Sequence, residues 1–262
     1  MDEPSLDDAH IRSIVQLLAQ VAIVEGSLND KKSVLLNGLS RLIGADCWVW
    51  TALAPTEPGE KPVAVNFLHG GFSAERFAAY SEAIEHPNMA LLNAPFLKLL
   101  EERRAHTTKL RQQLDPENSF VKLPVYPLWQ NADIAPLLLS CYPFETGSMS
   151  LIALYRQEKS DLFSPVEARI AHILLSEVRW LHEDSLPNCN NESSHSYLNL
   201  SPRQRTTLNL LLEGLGRKQI AAYLSISENT VSGYVKEIYR FYGVRSHAEL
   251  LRHFRHGDRG DL

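Results

Sequence analysis

Apolar residues recur every three or four positions along five stretches of the N-terminal part of the chain. This spacing puts them on one side of a helix and predicts amphipathic helices. In the first stretch, Ile11, Ile14 and Leu18 share such a face. In the last, Ser164 and Glu167 have the spacing of a capping box at a helix N-terminus. We predict helices over residues 5–25, 30–43, 73–85, 95–104 and 165–182.

Shorter segments rich in β-branched and aromatic residues predict strands. These segments cover residues 47–53, 63–68, 137–142 and 148–156. The turn at Pro143–Gly147 predicts that the last two form a hairpin. Residues 105–133 contain Pro116, Pro124 and Pro127, which argue for loops and short edge strands. We therefore predict an α+β fold, a GAF/PAS-like antiparallel sheet of roughly four to six strands flanked by helices.

A polar segment then interrupts the chain. Residues 187–199 are rich in Asn and Ser and have no apolar periodicity, which predicts an exposed linker. The linker separates a regulatory domain of residues 1–186 from a C-terminal domain of residues 200–262. The C-terminal domain shows four short helical patterns, and Ser201 with Gln204 has capping-box spacing at the first. The four patterns run from Ser201 to Gly214, over 217–224, over 228–242 and over 246–255.

Two of these short helices are joined by a tight turn, as in a helix-turn-helix. Val231, Val235 and Ile238 form the apolar face of the third helix. Its opposite stripe is small, polar and cationic, and consists of Asn229, Ser232, Gly233, Lys236 and Arg240. A helix that reads DNA must enter a groove about 12 Å wide, so small residues on that stripe favour close approach.

Charge and composition fit this division of the chain. The net charge of the 262 residues is −5, but residues 1–195 hold 16 Lys/Arg and 25 Asp/Glu, whereas residues 196–262 hold 10 and 6. The basic C-terminal part suggests contact with a polyanion. With 44% hydrophobic and 22% charged residues, the chain is not wholly disordered. No apolar run approaches the ~18 residues of a membrane span, and the acidic start is unlike a secretory signal. We therefore expect a cytoplasmic location and no membrane partner.

A spaced set of residues runs through the C-terminal domain: Leu200-Ser201-Pro202-Arg203, Leu211-Leu212-Glu213-Gly214, Lys218-Gln219-Ile220-Ala221, Leu224-Ser225-Ile226-Ser227, Thr230-Val231, Val235-Lys236, Ile238 and Gly243-Val244-Arg245-Ser246. This set resembles the LuxR/FixJ/NarL-type helix-turn-helix of bacterial transcription regulators. The resemblance implies that the third helix faces DNA bases and that the fourth contributes to dimerisation. It therefore implies double-stranded DNA and a second copy of the chain as partners.

Five positions depart from the family pattern. Gln204 and Gln219 stand where Glu is usual, Tyr234 where His is frequent, and Phe241-Tyr242 where Lys-Leu is usual. Gln204 still completes a capping box, whereas Phe241 removes a possible phosphate contact. The predicted DNA-binding residues are Arg203, Lys218, Gln219, Asn229, Thr230, Ser232, Gly233, Tyr234, Lys236, Arg240, Arg245 and Ser246.

Three segments carry a second resemblance. Arg104–Leu110, Leu151–Arg156 and Phe163–Glu167 are similar to parts of the GAF-like sensor domains that often precede this helix-turn-helix. The resemblance implies that the regulatory domain senses a small molecule or a protein partner, and it identifies no ligand residues.

Aromatic residues in the predicted strands allow two interpretations. A ligand pocket would be lined by Trp48, Trp50, Phe67, Tyr142 and Tyr155. Alternatively, these side chains pack the core. Cys47 and Cys141 similarly suggest either a redox pair on neighbouring strands or buried inert thiols.

Catalytic and metal motifs are missing from the sequence. It has no G-x-S-x-G, no H-E-x-x-H and no C-x-x-C. We therefore expect a regulator and not an enzyme, with no cofactor and no metal site. The alternative function is an adaptor that uses the helix-turn-helix fold to bind another regulator, and sequence-specific binding to duplex DNA distinguishes the two.

Overall fold

The computed structural model describes residues 4–26, 28–54, 63–145, 147–183, 200–212, 214–224 and 226–255. The predicted linker at 187–199 lies outside these residues. The chain divides into two compact units, one of residues 1–52 with 68–185 and one of residues 53–67 with 186–262.

Helices form in all five stretches where the N-terminal sequence predicts them. Ser73 caps α3, since its Oγ accepts a hydrogen bond from the backbone N of Arg76 at 3.3 Å. Ser164 and Glu167 form the predicted capping box, with N···O distances of 3.3 and 2.7 Å. The helices are α1 Asp8–Ala22, α2 Leu28–Leu42, α3 Ala74–Glu85, α4 Met89–Arg103 and α7 Pro165–Glu177.

Helix α4 begins at Met89, six residues before its predicted start, and contains Pro95 in its interior. The sequence favours a helix start at proline, because its missing N–H is harmless in the first turn. Within a helix, Pro95 leaves the carbonyl of Leu91 without its usual donor. Both residues are exposed, so water can reach that carbonyl.

The predicted hairpin is present, with Cys141 opposite Leu151 and Leu138 opposite Leu154 in antiparallel register. The five strands are β1 Cys47–Ala54, β2 Val63–Gly70, β3 Thr107–Leu110, β4 Leu137–Pro143 and β5 Met149–Tyr155. They form one sheet in the order β2-β1-β5-β4-β3. The predicted α+β fold, an antiparallel sheet flanked by helices, is therefore confirmed.

The proline-rich stretch is more ordered than the sequence suggests. It contains the expected short edge strand, β3, but also α5 Arg111–Leu114, a 3₁₀ turn Ser119–Lys122 and α6 Tyr126–Asn131. Asp115 stabilises the 3₁₀ turn by accepting from the backbone N of Ser119 and Phe120 at 2.9 and 2.8 Å. Pro127 lies in the first turn of α6, where a helix tolerates it.

The last predicted helix breaks at Val178, and the chain continues as the short helix α8 Trp180–Glu183. The break brings His182 under the sheet, where it is fully buried. His182 Nε2 lies 2.6 Å from the carbonyl of Leu175, and its Nδ1 lies 2.8 Å from Ser150 Oγ. A carbonyl only accepts, so Nε2 carries the proton and Nδ1 of the neutral ring accepts from Ser150.

Trp50 completes this chain of hydrogen bonds, because its indole Nε1 donates to Ser150 Oγ at 3.0 Å. The Lys32 ammonium lies 4.0 Å from the centroid of the Trp50 ring and is also buried. Burial and, to a smaller extent, the nearby charge of Lys32 lower the pKa of His182 to about 4, against the opposing effect of the hydrogen bond to Leu175. The structure therefore holds His182 in its neutral form.

The C-terminal part contains the four expected helices. They are α9 Pro202–Leu212, α10 Arg217–Leu224, α11 Glu228–Phe241 and α12 His247–Arg255. The predicted capping box at α9 is present, with Ser201 N donating to Gln204 Oε1 at 2.7 Å and Gln204 N donating to Ser201 Oγ at 3.3 Å. The side chains that form the core are Leu208, Leu211, Ile220, Ala221, Leu224, Val231, Val235, Ile238 and Leu250.

Acid should destabilise the fold through His182. Unfolded histidine takes up a proton near its ordinary pKa of 6.5, whereas the buried ring resists protonation down to about pH 4. The free energy of unfolding should therefore fall between these two pH values, by on the order of 2 kcal/mol from this residue. Denaturant unfolding of the full chain at several pH values measures the change.

The variant His182→Phe should be less stable at pH 7, because it loses both hydrogen bonds, but its stability should change less between pH 6.5 and 4. His86→Gln, at the half-exposed end of α3, is the control and should retain the pH dependence of the wild type. An equal loss of stability with acid in His182→Phe and the wild type would contradict the assignment.

Candidate nucleic-acid interface and sensor face

The turn between α10 and α11 fixes the start of the third C-terminal helix. Ile226 N donates to the carbonyl of Ala221 at 3.0 Å, which closes the turn. Ser227 is the N-cap of α11, and its Oγ accepts from Thr230 N at 3.0 Å. The Thr230 hydroxyl lies 2.8 Å from the same oxygen, so the cap also orients this predicted phosphate contact.

Helix α11 has one buried face and one open face. Val231, Val235 and Ile238 are at most 1% exposed, which anchors the helix to its neighbours. The predicted DNA-binding residues lie away from this stripe: Asn229, Thr230, Gly233, Lys236 and Arg240 are exposed, and Ser232 and Tyr234 are half-buried beside them. Because the buried stripe fixes the rotation of the helix, the open face is presented in one orientation.

Gly233 lies in the middle of the open face. A Cβ added there would meet no heavy atom within 4 Å, so the fold itself does not require glycine. Glycine in a helix interior costs about 1 kcal/mol relative to alanine. Its presence fits a surface that another molecule approaches closely.

Gln219 and Lys218 lie in the first turn of α10, and both are exposed. Gln219 Oε1 accepts from the backbone N of Gly216 at 2.8 Å and so caps α10. Its amide nitrogen stays available as a donor for the predicted contact with DNA. Sequence reasoning missed this capping role, although a Gln three residues after Gly216 has the spacing that it needs.

Arg245 and Ser246 lie just before α12. Glu249 N donates to Ser246 Oγ at 3.1 Å, the bond that an N-cap serine accepts. Glu249 Oε2 accepts from Arg245 N at 2.8 Å, one residue earlier than in a standard capping box. The Arg245 side chain is exposed, whereas Ser246 and Arg203 are half-buried.

One departure from the family pattern has a structural reason. The amide Nε2 of Gln204 donates to the carboxylate of Glu237, which links α9 to α11. A glutamate at position 204 would place a second carboxylate beside Glu237, and the two negative charges would repel. Glutamine therefore suits this pair.

The five aromatic residues predicted to line a ligand pocket are not all on one face of the sheet. Trp50 donates to Ser150, and Ser150 pairs with Tyr142 across β4 and β5. Trp48 is two residues from Trp50 and shares its face, whereas Tyr155 is an odd number of residues from Ser150 and points to the other face. Trp48 Nε1 donates to Asn37 on α2 at 2.8 Å. The fifth residue, Phe67, lies half-buried in β2.

The face that holds Tyr155 is lined with aromatic rings from α3 and α6. The ring centroids of Tyr80 and Trp129 each lie 5.8 Å from that of Tyr155. Cys47 is on the same side, 3.9 Å from Arg76 Nη2, and burial raises its pKa to about 12. Its thiol is therefore protonated and unreactive near neutral pH.

Cys141 does not pair with Cys47. β5 lies between β1 and β4, so the two cysteines are on strands that are not neighbours. Strands two apart are separated by roughly 9.5 Å, too far for a disulfide. Of the two interpretations, that of a redox pair on neighbouring strands is wrong and that of buried thiols is confirmed.

Sequence reasoning also missed a network on the other face. His106 Nε2 lies 2.8 Å from Ser140 Oγ, which is 2.8 Å from Thr108 Oγ1, and that atom is 3.0 Å from His172 Nδ1. Burial lowers the pKa of His106 to about 3. The signal in the sequence was the alternation of His106, directly before β3, with Thr108 in that strand.

In the part of the chain that the structure describes, no group of three or more His, Cys, Asp or Glu is arranged to hold a metal ion. Among the same residues, no helix has the length and apolar character needed to cross a bilayer.

Residues 198–254 match the bacterial regulatory proteins of the luxR family, GerE. The response regulator Rre1 of Synechocystis sp. is 31% identical over 219 residues, which cover 76% of this chain and 93% of that protein. The chain belongs to the LuxR family. This family consists of transcriptional regulators and not of enzymes. The LuxR-family protein is also 40% identical over 62 residues to the probable transcriptional regulator ycf29 of Cyanophora paradoxa, and it spans 30% of that relative.

Among solved structures, SdiA of Escherichia coli aligns over 92% of this chain and 94% of its own, with 14% identity and a TM-score of 0.46. The GAF domain of an Acinetobacter phosphoenolpyruvate-protein phosphotransferase aligns over 71% of this chain and all of its own, with 12% identity and a TM-score of 0.40.

Gly233→Ala should stabilise α11, because alanine has the higher helix propensity and its methyl group meets no neighbour. We expect a gain of up to about 1 kcal/mol in the local opening free energy of this helix. Amide hydrogen exchange at Val235 and Ile238 in the full chain measures it. Faster exchange in Gly233→Ala would show that the glycine is needed for the packing of the C-terminal helices.

Proposed function

We propose that this LuxR-family protein binds duplex DNA as a homodimer and inserts α11 into the major groove at each half of a two-fold site. The open face of α11, opposite its fully buried stripe, is the observation that carries the proposal. A helix about 10–12 Å in diameter fits a major groove about 12 Å wide. Two-fold symmetry of the protein then requires a two-fold operator.

The chemistry of the open face suggests a role for each residue. Lys236 and Arg240 are exposed cations that reach guanine O6 and N7 or a phosphate. Ser232 and Gly233 keep the helix close to the groove floor, and Asn229 and Tyr234 flank them. Thr230 donates to a phosphate at the helix N-terminus. The outer phosphate contacts come from Arg203, Lys218, Gln219, Arg245 and Ser246.

Each of the three predicted segments of the chain has its own role in this proposal. Residues 1–186 form the sensor for a small molecule or a protein partner, 187–199 connect, and 200–262 bind DNA in the cytoplasm. The two copies meet in part through α12, which Leu250 anchors to the core of its own chain and on which Leu251 is half-buried.

Lys236→Ala should weaken specific binding by about 1–3 kcal/mol if the side chain contacts a base. Fluorescence anisotropy of the full chain on a duplex enriched from a random library measures the affinity. A base contact also predicts relaxed preference at one position of each half-site, whereas a phosphate contact reduces the salt slope by about one and leaves the preference intact.

Lys98→Ala is the matched control, because Lys98 is an exposed lysine on α4 in the other unit. It should bind the same duplex as tightly as the wild type. An unchanged affinity, salt slope and base preference in Lys236→Ala would contradict the placement of α11 in the groove.

A further inference from the structure

The guanidinium of Arg111 is held in an apolar setting with most of its donors unused. Arg111 begins α5, directly after β3. Its Nε donates to the carbonyl of Ala135 at 2.8 Å, and its guanidinium carbon lies 3.9 Å from the centroid of the Phe120 ring. Within the described part of the chain, the two terminal nitrogens have no hydrogen-bond or ion-pair partner.

Arg156, in the same unit, is an arginine whose guanidinium hydrogen bonds all stabilise the fold, and it serves as a comparison for Arg111. Its three nitrogens donate to four carbonyls, those of Ile43, Gly44, Asp161 and Leu162, and Nη2 also pairs with Glu167 at 2.6 Å. Every nitrogen of that group is engaged. Arg111 uses one nitrogen of three, so stabilising its own loop does not account for the rest of the group.

Among the residues that the structure describes, no carboxylate takes the place of Glu167 at Arg111. Asp115 is the acidic residue whose charge acts on Arg111, but its oxygens accept from Ser119 and Phe120 N, and it forms no ion pair with the guanidinium. Burial accordingly lowers the pKa of Arg111. The Arg111 side chain is half-buried, so an anion that binds its terminal nitrogens replaces the part of their solvation that burial removes.

Trp129 supplies a second, independent unused donor. The residue is 2% exposed, and its indole Nε1 is buried with no acceptor among the described residues. The centroid of its ring lies 6.1 Å from that of Phe120 and 5.8 Å from that of Tyr155. The Arg111 guanidinium also stacks on the Phe120 ring, and its positive charge lowers the pKa of the Tyr155 hydroxyl. The two unused donors therefore share their neighbours.

The groups available define the chemistry of a ligand. Both open groups are donors, and one is cationic, so the matching group is an anionic acceptor. A guanidinium binds a carboxylate through two parallel hydrogen bonds. One unpaired cation balances one negative charge, which favours a monocarboxylate over a phosphate dianion. The aromatic rings of Tyr80, Phe120 and Tyr155 suit an apolar or aromatic body.

We propose that the sheet face around Tyr155 binds a small monocarboxylate with an apolar or aromatic body, whose oxygens accept from Arg111 and Trp129. The proposal rests on the sensor role assigned to residues 1–186. It gives that sensor a ligand class and a location, on the opposite face of the sheet from Trp48, Trp50 and Tyr142.

The test follows the indole N–H signal of Trp129 in ¹H–¹⁵N spectra of the full chain, assigned with Trp129→Phe. The probes are benzoate, phenylacetate and octanoate, each paired with its neutral amide. At least one carboxylate should shift the Trp129 signal in a saturable manner, whereas its amide should bind at least about tenfold more weakly. No shift with any of the three acids, or equal binding of acid and amide, overturns the proposal.

Arg111→Gln should weaken binding of that carboxylate at least tenfold, and Arg103→Gln, an exposed arginine on α4, should leave it unchanged. If Arg111→Gln does not fold, Arg111→Lys keeps the charge but loses the paired donors, and it should also bind more weakly. Wild-type affinity in the folded Arg111 variant overturns the proposal. DNA does not enter this readout, so a chain that binds the carboxylate but no duplex contradicts the proposed function alone.

Discussion

The burial of one stripe of α11 determines which side of this helix is open, and the proposed binding to DNA depends on that side. Val231, Val235 and Ile238 are in contact with the other C-terminal helices and leave no freedom for the helix to rotate. The opposite side is therefore open and carries cations, small residues and a glycine that the fold does not need. Ser227 caps the helix, and Gln204 links it to α9 through Glu237. Each of these contacts fixes the direction in which Lys236 and Arg240 project.

The two faces of the five-stranded sheet differ in whether their buried polar groups have hydrogen-bond partners. On one face, Trp50, Ser150 and His182 satisfy one another in a single chain of hydrogen bonds, and that chain ends at the carbonyl of Leu175. On the other face, the buried indole N–H of Trp129 has no acceptor among the described residues, and the half-buried Arg111 uses only its Nε in a hydrogen bond to them. A satisfied network makes a core rigid, whereas buried donors without partners require an explanation. This asymmetry separates the part of the sensor that stabilises the fold from the part that is suited to a ligand.

Local signals in the sequence predicted much of this architecture. The capping boxes at Ser164 and Ser201 depend on residues three positions apart, so they could be read directly from the sequence. The same holds for the apolar stripe of α11. The break at Val178 could not be predicted, because the contacts of His182 with Ser150 form only after the strands assemble. Alternation placed Trp48 and Trp50 on one face, but the opposite placement of Tyr155 depends on how β1 and β5 align.

Selection from a random duplex library by the full-length protein shows whether α11 reads duplex DNA. We expect the wild type to enrich a two-fold motif. For Lys236→Ala we expect either a lost base preference at one position of each half-site or a smaller salt slope with the motif intact. No enrichment by the wild type would contradict the proposed binding to DNA. The same motif recovered with unchanged affinity and salt dependence by Lys236→Ala would contradict the role given to α11.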